Sequence, residues 1–95
     1  MSEVQEREGT RLIFADDTEI EDGKAGYYAN AIWCYMTGIT LHDAATIFFD
    51  TNKTSKIVFQ YGEMESTFEG FTTCTNLMID VDGVVSVRLE RANHA

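Results

Sequence analysis

The sequence predicts an α+β domain in which an antiparallel sheet of five or six strands carries one short helix packed on a face. Three observations lead to this fold class. Short runs in which apolar residues alternate with polar ones recur along the chain, as half-buried strands require. A single segment, which begins at Thr40, has apolar residues at helical spacing. An Asp-Gly pair at residues 82–83 separates two strand-like runs and indicates a hairpin.

The chain length predicts a single domain. It has 95 residues, of which 44% are apolar and 12% aromatic, and this composition is sufficient for one packed core. Residues 1–9 are mostly polar and charged and end at a glycine, so we expect a flexible N-terminal tail. We expect the α+β domain to occupy residues 10–91, followed by a short C-terminal tail over residues 92–95.

The first predicted element is a hairpin with an acidic turn, whose strands are residues 12–15 and 18–21. A two-residue loop would place Phe14 opposite Glu19 on one face. A three-residue loop instead pairs Phe14 with Ile20 and turns the neighbouring glutamates outward. We prefer the three-residue loop because it buries no carboxylate.

A turn region and a strand are expected next. Residues 22–30 contain two glycines and an asparagine, which indicate a turn region, and this region includes Tyr27 and Tyr28. Residues 31–37 alternate as a strand does. One face of that strand carries Ile32, Cys34 and Met36, and the other carries Trp33 and Tyr35.

The helix is predicted from Thr40 to the region of residues 50–52. The Thr40 hydroxyl can cap the first turn, and Asp43 stands three residues later, as in a capping box. The residues at helical spacing are Leu41, Ala44, Ala45 and Phe48.

The second half of the chain predicts further strands. Residues 56–62 alternate as a half-buried strand, and residues 64–81 are long enough for one bent strand or two, with a bulge at Gly70. The helix should then pack on the sheet. Its expected contacts are Ile32, Ile57, Phe59, Leu77, Ile79, Val85 and Val87. Dimerisation would supplement the modest stability of such a small core.

The charge of the chain constrains its partners. Sixteen acidic and 7 basic residues give a net charge of −9, which disfavours direct binding to nucleic acid or to an anionic membrane. No apolar run approaches the roughly 20 residues that cross a bilayer. A basic protein surface is the expected partner for such a charge.

No residue pattern indicates catalysis, a metal or a cofactor. The run before Gly83 fails as an EF-hand loop, because Met78 and Leu89 occupy ligand positions. Cys34, in an apolar strand, and His42, in the first helical turn, do not form a nucleophile and base pair. We therefore predict a non-enzymatic protein without cofactors. We interpret both cysteines as reduced and cytoplasmic, although a disulfide between Cys34 and Cys74 stays open.

Two acidic clusters are the candidate partner-binding surface. The first cluster consists of Asp16, Asp17, Glu19, Glu21 and Asp22, and the second of Glu63, Glu65 and Glu69. Tyr27 and Tyr28 are candidate aromatic anchors beside this charge. The alternative is that the carboxylates only keep a small sheet soluble and protect its edges, while the tyrosines pack on a sheet face.

The order of three segments resembles short uncharacterised proteins encoded by phages and mobile elements of Gram-positive bacteria. These segments are RLIFADDTEIEDGKAGY (11–27), AIWCYMTG (31–38) and IFFDTNKTSKIVFQYGEMESTFEGFT (47–72). The resemblance implies a phage setting and carries over no functional residue. In that setting we expect an acidic inhibitor similar to the anti-CRISPR proteins, which blocks the nucleic-acid-binding surface of a host nuclease. The alternative is a virion or tail-assembly component that packs through its sheet edges.

Overall fold

The computed structural model of the protein describes residues 9–91 and contains two antiparallel sheets of four strands each. The strands and helices in chain order are β1 (Thr10–Phe14), β2 (Glu19–Glu21), β3 (Lys24–Tyr28), β4 (Ala31–Met36), α1 (Leu41–Phe48), α2 (Thr51–Thr54), β5 (Lys56–Tyr61), β6 (Met64–Glu69), β7 (Thr73–Ile79) and β8 (Val85–Glu90). One sheet, sheet A, has the order β2-β1-β5-β6, and the other, sheet B, has the order β3-β4-β8-β7.

The α+β class predicted from the sequence is confirmed at this level. The finer prediction of one sheet of five or six strands with one helix is corrected, because eight strands divide into two sheets and a second short helix follows the first. The predicted tails at residues 1–9 and 92–95 lie, apart from Gly9, outside the described residues.

The β1–β2 hairpin has the predicted faces but a different register. Leu12, not Phe14, lies opposite Ile20. The Phe14 N–H donates to the Thr18 carbonyl at 2.8 Å, so the loop has four residues. A shift of two residues preserves the side-chain face of every position. Ile20 is therefore buried and Glu19 is exposed, as expected.

The predicted turn region over residues 22–30 is largely a strand. Residues 24–28 form β3, which pairs with β4 through a two-residue turn at Ala29 and Asn30. Both turn residues have positive φ, 55° and 66°, as a type I′ hairpin requires. The true turn before β3 is short. There Gly23 is buried, and a Cβ at this position would lie 2.9 Å from the Leu12 side chain.

Helix α1 begins as the sequence predicts. The Thr40 hydroxyl accepts a hydrogen bond from the Asp43 N–H at 3.0 Å and so caps the first turn. The helix ends at Phe48, earlier than expected. Asp50 then caps α2 by accepting from the Asn52 N–H at 2.9 Å.

The chain passes from sheet A to sheet B between β6 and β7. The long run over residues 64–81 therefore forms two strands, one of the two alternatives predicted. Gly70 has a φ of 85°, which favours glycine, and its N–H donates to the Ser55 carbonyl at 3.0 Å. Phe71 follows and is buried against the edges of the Phe68 and Tyr27 rings.

A single core lies between the two sheets and helix α1. From the helix, Ala44 and Phe48 are fully buried. The predicted core positions Leu41 and Ile79 are corrected, because they are 39% and 43% exposed. Phe59 and Leu77 pack at the edge of the core. The fully buried sheet residues are Leu12, Ala31, Ile32, Cys34, Ile57, Val85, Val87 and Leu89.

Candidate functional site

The first acidic cluster is not a uniform field, because one of its members is held in an ion pair. Asp16 accepts from the Lys53 ammonium at 2.6 Å and from the Thr18 N–H at 3.1 Å. The hydrogen bond from Lys53 is the main reason that the pKa of Asp16 lies far below its usual range, with Thr18 contributing next. Asp16 therefore joins the β1–β2 turn to α2 and is partly neutralised as a partner-binding group.

The other members of the first cluster are exposed. Asp17 and Asp22 have φ values of 71° and 64° and mark the two ends of β2. Glu19 lies 3.4 Å from the Arg11 guanidinium at the surface, a contact that contributes little in water. Within residues 9–91, no cation lies at salt-bridge distance from Glu21 or from either aspartate.

An acidic cleft lies between the edge strand β2 and helix α1. It has a volume of about 590 Å³. Four acidic residues, Glu19, Glu21, Asp22 and Asp43, are among those that line it, and within residues 9–91 no Lys or Arg is. Its apolar lining consists of Ile20, Ile39 and Ile47. This cleft combines one sign of charge with apolar surface.

The second acidic cluster lies at the opposite edge of the same sheet. Glu65 stands opposite Gln60 on β5, Gln60 opposite Arg11 on β1, and Arg11 opposite Glu21 on β2. Residues opposite one another share a face, so the two acidic edges flank one outer face about 14 Å apart, from three strand spacings of roughly 4.8 Å.

The second acidic cluster therefore does not form one continuous surface with the first. Glu69 stands opposite Lys56, and Glu63 lies in the β5–β6 turn. The two acidic clusters are consequently separate surfaces with cations between them.

The candidate tyrosines lie on the edge strand β3 of sheet B. Tyr28 is 74% exposed and shares the outer face with Trp33 and Tyr35. Tyr27 points toward the other face, where its ring meets the edge of Phe71. A shallow groove of about 420 Å³, the aromatic groove, is lined on the outer face by Gly26, Tyr28, Trp33 and Tyr35, and Tyr27 borders it although its ring turns toward Phe71. Tyr28 thus matches the expected exposed anchor more closely than Tyr27 does.

The cysteines do not pair and do not lie in a reactive environment. Burial raises the pKa of the Cys34 thiol to about 12, and burial also raises the pKa of Cys74. Strand β8 separates the two, which places them about 10 Å apart, beyond disulfide reach. The disulfide left open from the sequence is therefore absent from this arrangement.

Within residues 9–91, no group of three or more His, Cys, Asp and Glu side chains is arranged to hold a metal ion. Neither helix in that range has the length and apolarity that crossing a membrane requires.

Comparison of the chain with protein-family models, with curated protein sequences and with solved structures finds no match.

Sequence reasoning missed two parts of these surfaces. Asp43 was recognised only as a helix-capping residue, and Ile39 and Ile47 were not noticed, because residues distant in sequence converge on the cleft only in the folded chain. Gly26 was interpreted as a turn residue, although it lies in the middle of β3. No local signal indicated the strand, because residues 24–28 do not alternate between apolar and polar side chains.

Proposed function

We propose that this protein is a non-enzymatic binding module that docks its acidic cleft on a basic surface of a partner protein. The observation that supports this proposal is the composition of the cleft. Four acidic residues and three isoleucines line it, and within residues 9–91 no Lys or Arg lines it, although Arg11 contacts Glu19 from outside the cleft. Charge attracts a cationic partner, and the apolar lining slows its dissociation.

We propose further that the partner is a nucleic-acid-binding protein of the host, such as a CRISPR nuclease, and that docking occludes its nucleic-acid-binding surface. Such surfaces are rich in Lys and Arg because they neutralise phosphates. The net charge of −9 and the resemblance to phage-encoded proteins support this choice. The inhibition would be steric and electrostatic and would require no chemical step.

The experiment compares two triple variants that remove the same charge. In the cleft variant, Glu21→Gln, Asp22→Asn and Asp43→Asn keep the side-chain shapes, and Asn tolerates the positive φ of residue 22. In the β6 variant, the changes are Glu63→Gln, Glu65→Gln and Glu69→Gln. The partner is first captured from a host lysate. Titration of the captured protein then measures its affinity for the wild type and for each variant.

The cleft variant is expected to bind about tenfold or more weakly, from three contacts of up to about 1 kcal/mol each. The β6 variant should lose less affinity, because its substitutions only reduce the long-range attraction of the partner. Wild-type affinity should fall as salt rises. Equal losses in the two variants, or an affinity independent of salt, would refute docking through the cleft.

A second candidate function, a particle component that assembles through its sheet edges, is favoured by one observation. Strand β7 is an edge strand of sheet B, and it and the following turn expose Met78, Ile79 and the fully exposed Val81. Exposed apolar side chains beside an open strand edge favour self-assembly. Light scattering over a range of protein concentrations tests this function. Rings or filaments that Val81→Lys abolishes would support assembly, and a monomer at all concentrations would exclude it.

A further inference from the structure

The aromatic groove contains a glycine that the fold itself does not require. Gly26 lies in the middle of β3, its φ is not positive, and a Cβ at this position would have no atom within 4 Å. Glycine weakens a strand, and its presence often marks close approach by another group. The missing side chain opens the floor of the groove directly beside Trp33, which stands opposite Gly26.

The side chains of the groove offer a specific chemistry. Within residues 9–91, its lining includes no carboxylate and no amide side chain. The polar groups on its face are the hydroxyls of Tyr28 and Tyr35, which donate and accept, and the Trp33 indole N–H, which donates only. These groups can donate to free carbonyls. A proline-rich segment in the polyproline II conformation presents such carbonyls, and its prolines have no N–H that needs an acceptor.

The aromatic groove is continuous with the acidic cleft. A depression of about 490 Å³ lies between them, lined in part by Asp22, Thr37, Lys24 and Tyr35. Asp22 and Thr37 also line the acidic cleft, and Tyr35 also lines the aromatic groove. One elongated ligand can therefore follow a single surface from the carboxylates to the aromatic rings.

We infer that the partner presents one linear segment that is basic where it enters the acidic cleft and proline-rich where it crosses the aromatic groove. This inference rests on the proposed function and adds the form and composition of the docking segment. Charge complementarity fixes the position of the basic half. The aromatic, donor-rich lining fixes that of the proline-rich half, as in other aromatic grooves that bind polyproline II helices.

The test uses Trp33 as its reporter, because it is the only tryptophan of the chain. Three synthetic peptides are titrated: an arginine-rich peptide, a proline-rich peptide, and one peptide that joins the two. Anisotropy of a dye on each peptide gives the affinity, and Trp33 emission reports occupation of the groove. We expect the proline-rich and joined peptides to change Trp33 emission, and the joined peptide to bind about tenfold or more tightly than either half.

Gly26→Val adds a side chain at the floor of the groove, its Cβ would have no atom within 4 Å, and valine favours strands. This variant should bind the proline-rich and joined peptides about tenfold more weakly than the wild type does, and its affinity for the arginine-rich peptide should not change. Tyr28→Ala is the second variant. Tyr28 is exposed, so this change should not prevent folding. Thr67→Val, at an exposed position of the edge strand β6, is the control and should bind all three peptides as the wild type does.

The outcomes separate the two proposals. If the arginine-rich peptide binds and the proline-rich and joined peptides leave Trp33 emission unchanged, the linear-segment inference fails and the proposed function stands. If the arginine-rich peptide does not bind, the proposed function fails as well. A single-stranded oligonucleotide that changes Trp33 emission, or an emission change on concentrating the protein alone, would assign the groove to nucleic acid or to a second copy and overturn the inference.

Discussion

The ion pair between Asp16 and Lys53 shows that neighbouring carboxylates in one acidic run have different roles. The Asp16 carboxylate faces α2, where Lys53 donates to it and to the Thr18 hydroxyl. The Ala15 N–H donates to the Lys53 carbonyl at 3.0 Å, so the same residue also holds the turn through its backbone. Asp16 therefore stabilises the hairpin, while Glu21 and Asp22 have no cation at salt-bridge distance within the described part of the chain.

Asp16→Asn should reduce stability in a pH-dependent way. The folded state lowers the pKa of Asp16, chiefly through Lys53, so its stabilising contribution is present above the ordinary carboxyl pKa of about 4 and is lost as the pH falls below it. The melting temperatures of wild type and variant should differ at neutral pH and converge in acid. Asp17→Asn, one residue away and outside the ion pair, is the control. A difference that keeps its full neutral-pH size down to pH 2 would contradict the assignment.

Cys34 should be inert to thiol reagents while the protein is folded. Because burial raises its pKa from 9.0 to about 12, the thiolate fraction at pH 8 is on the order of a thousandfold below that of an exposed cysteine. In a Cys74→Ala background, labelling should be negligible in buffer and complete in denaturant, as measured by mass spectrometry. Rapid labelling of Cys34 in the folded protein would mean that strand β4 is exposed.

At the scale of elements, the cap of α1 has a predictable energy. Thr40→Ala removes the hydroxyl that accepts from the Asp43 N–H and should lower the free energy of unfolding by about 0.5–2 kcal/mol in urea denaturation. Thr46→Ala in the same helix is the control. Thr46 is exposed, and alanine is the better helix former, so that variant should be neutral or slightly stabilised. Equal losses in both variants would contradict the capping role.

Elements with strong local signals could be predicted from the sequence. The alternation over β4, the cap of α1 and the Asp-Gly hairpin are all present. In that hairpin, Asp80 accepts from the N–H groups of Asp82 and Val84 and fixes a longer loop than the Asp-Gly pair alone.

Elements without a local signal could not be predicted. Strand β3 contains a glycine and exposed residues, and only its hydrogen bonds to β4 make it a strand. The division into two sheets depends on strand partners distant in sequence, which periodicity does not encode. The same limit applies to the site. The sequence indicates the acidic residues of β2, but it does not indicate that Asp43 lines the same cleft.

At the scale of the whole molecule, we expect Phe71 to join the two sheets into one cooperative unit. It lies in the crossover between them and contacts the Phe68 ring of sheet A and the Tyr27 ring of sheet B. Phe71→Ala should lower the free energy of unfolding by about 3–5 kcal/mol, as buried aromatic truncations do. Phe49→Ala, at a 62% exposed position, is the control and should change it by less than about 0.5 kcal/mol.

Circular dichroism and Trp33 fluorescence should report the same transition for Phe71→Ala, because sheet B cannot retain its core when sheet A separates. Two separate transitions would show that the sheets are independent.

The separation of the acidic edges determines how they act on a partner in solution. The β6 carboxylates lie about 14 Å from β2, across β1 and β5. Charges are screened beyond about 8 Å at physiological salt and beyond about 30 Å at 0.01 M. The β6 triple variant, Glu63→Gln with Glu65→Gln and Glu69→Gln, should therefore slow association of the arginine-rich peptide at low salt and bind as the wild type does at physiological salt. Its dissociation rate should not change.

The cleft triple variant should behave differently, because in the proposed complex the cleft carboxylates contact the peptide. It should dissociate faster at both salt concentrations, while its association is slowed mainly at low salt. Stopped-flow anisotropy of the labelled peptide measures both rates. If the β6 variant dissociates as fast as the cleft variant at physiological salt, the β6 edge contacts the ligand directly. The docking surface would then be the outer face of sheet A, with Arg11 and Lys56 at its centre, and no longer the cleft beside α1.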